Sequence, residues 1–161
     1  VLVGEQPGNE EDLRGAPFVG PAGRILDRAL EDAGIDRDEA YVTNVVKHFK
    51  WERKGKARIH KKPNAEEIRA CRPWLDAELA ALRPKVLVCL GATAAQALLG
   101  RQFKVTEQHG QVLESDLADH VVATMHPSSI LRQQTTQDRE VALKELIADL
   151  RVVAKLLAEK T

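Results

Sequence analysis

Residues 1–8 read V-L-V-G-E-Q-P-G, and the fold class is decided by the way this stretch breaks. Val1 to Val3 is the end of a short apolar strand. Gly4-Glu5-Gln6-Pro7-Gly8 stops it, with two glycines that admit backbone conformations other residues avoid and a proline that stiffens the turn. A strand that runs straight into such a turn delivers polar side chains, here Glu5 and Gln6, to its C-terminal edge. In open α/β sheets that edge is where ligands bind. Phe18 lies in the same connecting loop. A carboxylate, an amide and an aromatic ring suit a planar, hydrogen-bonding ligand such as a nucleobase. An ordinary surface turn has the same composition, because short Gly-rich motifs are weak signals on their own.

Working outward, Pro21 to Gly34 has Ile25, Leu26, Ala29, Leu30 and Ala33 at helical spacing, with Gly34 as the stop. Tyr41 to Val46 is a β-branched strand with Asn44 at its polar end. Asn64 caps a helix reaching Leu82, with Glu66 and Glu67 favourably placed in its first turn and Pro73 expected to kink or split it. Pro84 to Gly91 is a buried strand and Ala92 to Leu99 a short Ala-rich helix. Val112 to Glu114 and His120 to Met125 are two more strands, joined by a turn at Ser115 and Asp116. A long helix closes the chain, from Gln137 to Lys160. Strands alternating with helices predict an α/β fold, a three-layer α/β/α sandwich with a mainly parallel central sheet. At 161 residues, with no repeat and no low-complexity tract, residues 1–161 are expected to form a single domain.

The chain is 43% hydrophobic and 30% charged, and no apolar run approaches the roughly 20 residues of a membrane span. Two cysteines, Cys71 and Cys89, fit a cytoplasmic (intracellular) protein better than a disulfide framework. No membrane partner and a monomeric state are expected. The chain opens inside a strand, without a methionine or cap ahead of it, so a segment upstream of Val1 is expected.

Net charge is zero, yet residues 47–62, K-H-F-K-W-E-R-K-G-K-A-R-I-H-K-K, hold eight Lys/Arg against Glu52 alone. Such a local block, rather than the average, sets the field felt by a phosphate backbone. It is read as a basic loop between a strand and a helix, either a nucleic-acid contact or a solvated face. Glu5 and Gln6, Asn44, and the stretch His126-Pro127-Ser128-Ser129 each sit at a strand end. In a parallel sheet these ends lie on one side, so a carboxylate, two amides and an imidazole converge on one pocket.

These residues carry a resemblance. G-E-Q-P-G (4–8), G-A-P-F-V-G-P-A-G (15–23), Y-V-T-N-V-V-K (41–47) and H-P-S-S-I-L-R (126–132) resemble the iron–sulfur uracil-DNA glycosylases of family 4. K-A-R-I-H (56–60) is similar to the loop peculiar to the UdgX branch of that superfamily, whose members bind uracil-DNA covalently. The family loop has arginine where Ala57 stands. The resemblance implies a uracil-DNA glycosylase-like fold and uracil-containing DNA as partner, with free uracil as product. Phe18 would stack on a base flipped out of the helix. Asn44, with Gln6, would bind its edge, because an amide matches uracil O4 and N3–H whereas cytosine reverses that pattern. His126 would stabilise charge developing on O2, and Glu5 the cationic sugar. The branch implies that His60 attacks C1′ and stays attached. Lys56, Arg58, Ser128, Ser129 and Arg132 would contact the DNA backbone. Taken alone, Cys71 and Cys89 are two buried thiols. With the resemblance they are half of a structural [4Fe–4S] cluster, its other two ligands upstream of Val1. A turnover glycosylase, and a non-catalytic α/β nucleic-acid-binding module, are the competing readings.

Overall fold

The computed structural model describes residues 1–15, 18–48 and 50–159, with the backbone alone at Asn9, Ile59 and His60. In chain order the elements are β1 (Leu2–Gly4), α1 (Asn9–Arg14), α2 (Pro21–Ala33), β2 (Val42–Asn44), β3 (Trp51–Lys54), β4 (Ala57–His60), α3 (Ala65–Leu82), β5 (Val86–Leu90), α4 (Ala92–Leu99), α5 (Val105–Gln108), β6 (Val112–Ser115), β7 (Ala118–Thr124), α6 (Pro127–Leu131) and α7 (Thr136–Ala158).

Five strands form one sheet in the order β2-β1-β5-β7-β6. The first four are parallel and β6 returns antiparallel along β7. Alternate side chains of β5 part to the two faces, as pleating requires. Val86, Val88 and Leu90 pack with Leu26 and Leu30 of α2 and with Leu146 and Leu150 of α7. Leu87 and Cys89 pack on the other side with Leu75 and Leu79 of α3 and Ala94 and Ala95 of α4. The three layers expected from alternating strands and helices are therefore present. Among the described residues no helix is long and apolar enough to cross a membrane.

Three local readings change. Residues 9–14 are a helix: Gly8 is its N-cap without a side-chain bond, and Glu10, Glu11 and Asp12 fill its first turn, where the helix dipole favours acids. The basic segment is not a loop but an antiparallel hairpin, β3 with β4, pairing Trp51 to His60 and Lys54 to Ala57. Gly55, at φ 65°, opens its two-residue turn, a position that needs the left-handed half of the map. Pro73 does not split α3, which runs on through it. A proline inside a helix removes one backbone hydrogen bond, and here Leu75 and Leu79, both buried, hold the following turns against the sheet.

Candidate active site

The C-terminal ends of β1, β2, β5 and β7 open on one cavity of about 670 Å³. Glu5, Gln6, Phe18, Asn44 and His126 all line it, as the strand-end reading requires, together with Ser128, Ser129 and Arg132. Gly4 pairs with Asn44 across the parallel ladder, which fixes the height of the Asn44 amide relative to Glu5. Asn44 is 6% exposed, and its side-chain Oδ1 is buried with no hydrogen-bond partner among the described residues. Its backbone carbonyl accepts from Lys47 Nζ at 2.7 Å. Among the described residues no donor reaches this oxygen, so it is an acceptor open to the cavity. Leaving a buried acceptor unsatisfied ordinarily costs about 1–3 kcal/mol.

His126 caps α6. Its Nδ1 accepts from Ser128 N at 3.0 Å, and its carbonyl accepts from the Ser129 hydroxyl at 2.7 Å. An Nδ1 used as acceptor puts the proton of the neutral imidazole on Nε2, making that nitrogen the donor. Ser128 and Ser129 thus act on the orientation of His126 as well as lining the cavity. Phe18 stacks on the His126 ring, centroids 5.7 Å apart and planes at 29°. Its own backbone is at φ 53°, a conformation that bulky residues rarely adopt. Gly23 makes room for that turn, since a Cβ there would lie 1.8 Å from the Phe18 carbonyl oxygen. Glu5 accepts from the Thr93 hydroxyl at 2.6 Å.

Gln6 is 7% exposed and spends its amide on the hairpin. Its Nε2 donates to the carbonyls of Lys50 (3.3 Å) and Lys61 (3.1 Å), and its Oε1 accepts from Lys50 N (3.4 Å). The base of the hairpin is thereby fastened to the residue after Glu5. The His60 side chain lies outside the described residues, but its backbone stands on β4, next to Lys61.

Among the described residues, three of the eight cations in the 47–62 row are met by acids from elsewhere and a fourth by Glu52 within it. Lys47 bonds Glu78, and Lys50 bonds Glu67. Arg58 Nη1 lies 3.0 Å from Asp12 of α1, and Lys61 lies 4.0 Å from Glu52. Burial pushes the Glu78 carboxyl up, but hydrogen bonds from Lys47, Tyr41 and Thr43 outweigh it and hold it below the ordinary carboxylate range. The Lys50 hydrogen bond does the same to Glu67. Arg58 is consequently a fixed part of the hairpin, whereas Lys56 stands exposed in its turn. Lys62 reaches the cavity wall.

Cys71 and Cys89 are free thiols in the same core cluster. Cys89 is sealed in the middle of the sheet, where burial pushes its thiol up to about 12. Among the described residues no group of three or more His, Cys, Asp or Glu side chains is arranged to hold a metal. This pair alone does not fit a four-thiolate cluster.

Sequence reasoning overlooked Thr93 and Glu11. Thr93 follows β5, the fourth strand to end at the cavity, and the strand-end argument would have reached it had the G-A-T-A after Leu90 been read as polar. Glu11 lines the cavity with one carboxylate oxygen buried and without a hydrogen-bond partner among the described residues. No pattern in the sequence marked it, because its helix was not foreseen.

The chain matches the family model described as the uracil DNA glycosylase superfamily over residues 1–151. It is 36% identical over 147 residues to a type-4 uracil-DNA glycosylase of Thermotoga maritima, covering 91% of this chain and 73% of that one. It is also 36% identical over 154 residues to the type-4 enzyme of Archaeoglobus fulgidus, covering 91% and 74%. A type-5 uracil-DNA glycosylase of Thermus thermophilus is 31% identical over 177 residues, covering 98% and 75%.

Proposed function

The chain belongs to the uracil DNA glycosylase superfamily, and on that premise we propose that it excises uracil from DNA as a UdgX-type enzyme, keeping the deoxyribose covalently on His60. The observation that carries the uracil reading is the buried, unpartnered Oδ1 of Asn44 in the strand-end cavity. Uracil offers N3–H to that oxygen and O4 to the amide NH₂. Cytosine presents an acceptor and a donor in the reverse places, so it would leave buried groups unpaired. Phe18 packs the flipped base against the pocket.

As the N1–C1′ bond breaks, its electron pair leaves with the uracil. His126 donates from Nε2 to O2, where the negative charge gathers, and Glu5, held by Thr93, faces the positive charge of the sugar. A lone pair of the His60 imidazole then forms the new bond to C1′, and the ring gives up its N–H proton to the departing uracil anion, which leaves as neutral uracil. A neutral imidazole is a competent nucleophile near neutral pH. Support for this last step is the hairpin, whose base is tied to Gln6, the residue beside Glu5.

Incubation with a uracil-containing oligonucleotide, followed by denaturing electrophoresis and alkaline cleavage, tests both halves. Wild type is expected to give a heat-stable protein–DNA adduct. His60→Ser is expected to give free uracil and an abasic site without adduct, water taking the place of the ring. An adduct that survives His60→Ser would assign the nucleophile elsewhere. Abasic DNA without adduct from wild type would make this a turnover glycosylase.

A further inference from the structure

One aromatic residue of the hairpin is unused by the reaction just described. Trp51, the first residue of β3, is 39% exposed. Single exposed apolar residues are common and need no explanation. This one differs in how it is held. The Arg58 guanidinium carbon sits 5.3 Å from the ring centroid, and Arg58 is itself fastened to Asp12 at 3.0 Å. The ring therefore has a cation fixed on one side, and its exposed area is turned to solvent as a stiff aromatic plate. Its place is equally defined. The neighbouring Lys50 is bonded through both backbone groups to Gln6 on the cavity wall, and the hairpin register sets Trp51 opposite His60. Arg53, Lys54 and Lys56 continue outward along the same hairpin, with no acidic partner recorded among the described residues.

We propose that Trp51, backed by Arg58, is a stacking platform for an unpaired base of single-stranded DNA adjoining the nucleotide held in the cavity. This rests on the uracil-DNA reading for the cavity and adds to it the form of the strand. A base within a duplex has both faces covered by its neighbours and offers none to an outside ring. An unpaired base offers a face whatever its identity, so recognition by a cation-backed indole is tolerant of sequence. The lysines and the arginine beyond it follow the phosphates of the same strand.

The test uses a Trp74→Phe background, which leaves Trp51 as the sole tryptophan of the two in the chain. A uracil-free oligothymidylate is titrated as a single strand and as a duplex with oligoadenylate. The expected result is quenching of Trp51 fluorescence by the single strand and not by the duplex. Trp51→Ala is expected to weaken single-strand binding by about 5- to 150-fold, the range found for loss of one stacked base, while Trp51→Phe retains most of it. Equal quenching by the duplex, or Trp51→Ala binding within about twofold of the parent, overturns the platform. Uracil excision by wild type is scored separately. Excision with no quenching defeats the platform alone, and quenching with no excision defeats the cavity reading alone. Melting temperatures of both Trp51 variants report folding, and the Phe variant with the quenching result decides if the Ala variant is unfolded.

Discussion

Gly4→Ala puts the cavity under the most direct strain. Gly4 ends β1 in ladder register with Asn44, and an added Cβ would lie 2.6 Å from Asn44 Oδ1 and 2.9 Å from Phe18 Cζ. To regain ordinary contact at 3.4 Å, the amide must retreat by about 0.8 Å and the ring by about 0.5 Å. Overpacking of this kind costs about 1–3 kcal/mol, which in a domain of this length lowers Tm by about 2–12 °C. Catalysis should suffer more than stability. A shift near 1 Å in a positioning group costs up to about 10²-fold, so single-turnover excision of uracil is expected to slow by about 10- to 100-fold. Gly34→Ala is the control. It places an alanine at φ 82° with open space around it, remote from the cavity, and strains the backbone by about 1–2 kcal/mol. It should melt early yet excise normally. If Gly4→Ala excises within about threefold of wild type, the Asn44 amide and the Phe18 ring do not set the reading geometry, and the base lies elsewhere in the cavity.

Asn44→Asp loses the amide donor and is expected to narrow the preference for uracil over cytosine by about 1–3 kcal/mol, the worth of one good bidentate contact; competition between the two bases in one oligonucleotide measures it. Glu78, its carboxyl lowered by bonds from Lys47, Tyr41 and Thr43 against the opposing push of burial, contributes stability that is present above the unfolded value near 4.5 and is lost as pH falls through its lower folded value. Glu78→Gln should therefore be less stable than wild type at neutral pH, by at most about 1 kcal/mol after solvent screening, and the difference in Tm should close on acidification. A difference that widens in acid would show that the bonds to Glu78 do not stabilise its charged form. Lys56→Ala should flatten the salt dependence of DNA binding by about 0.7–0.9 in log–log slope. Arg58→Ala should cost more than a phosphate contact alone, since it also releases Asp12 and the Trp51 ring. Equal slopes and equal affinities for these two variants would contradict the different roles that the hairpin gives them.

The parts of the site that were legible in the sequence are those that a single strand end determines. Glu5, Asn44 and His126 each follow an apolar run with a turn behind it, and a parallel sheet needs no further information to bring such residues to one edge. Thr93 was not legible in the same way. Its bond to Glu5 exists because β5 lies beside β1, Val3 against Cys89, and strand order is a property of the assembled sheet. Gln6 shows a second kind of blindness. Its partners are backbone groups of Lys50 and Lys61, far along the chain, and a backbone carbonyl carries no residue identity by which a pattern could announce it. The hairpin was hidden because β3, W-E-R-K, is exposed along its whole length and three of its four residues are charged, so no apolar alternation marks its period.

The charge block was legible as composition and misleading as field. The acids that meet Lys47, Lys50 and Arg58 come from α3 and α1, so the row is neutralised where it joins the body of the protein and remains positive toward the hairpin tip. That gradient has a physical consequence for the site. A uniformly basic loop would attract phosphate equally along its length and compete with the cavity for the same strand. In the proposed complex, one neutralised at its base and cationic at its tip draws the backbone outward past Trp51, leaving the buried amide of Asn44 to meet the base and the carboxylate of Glu5 to face the sugar. The same ion pairs also brace the hairpin from both sides, through α1 at Arg58 and α3 at Lys50. The nucleophile proposed at His60, at the end of β4, needs that bracing, because attack on C1′ succeeds only from a near-attack geometry.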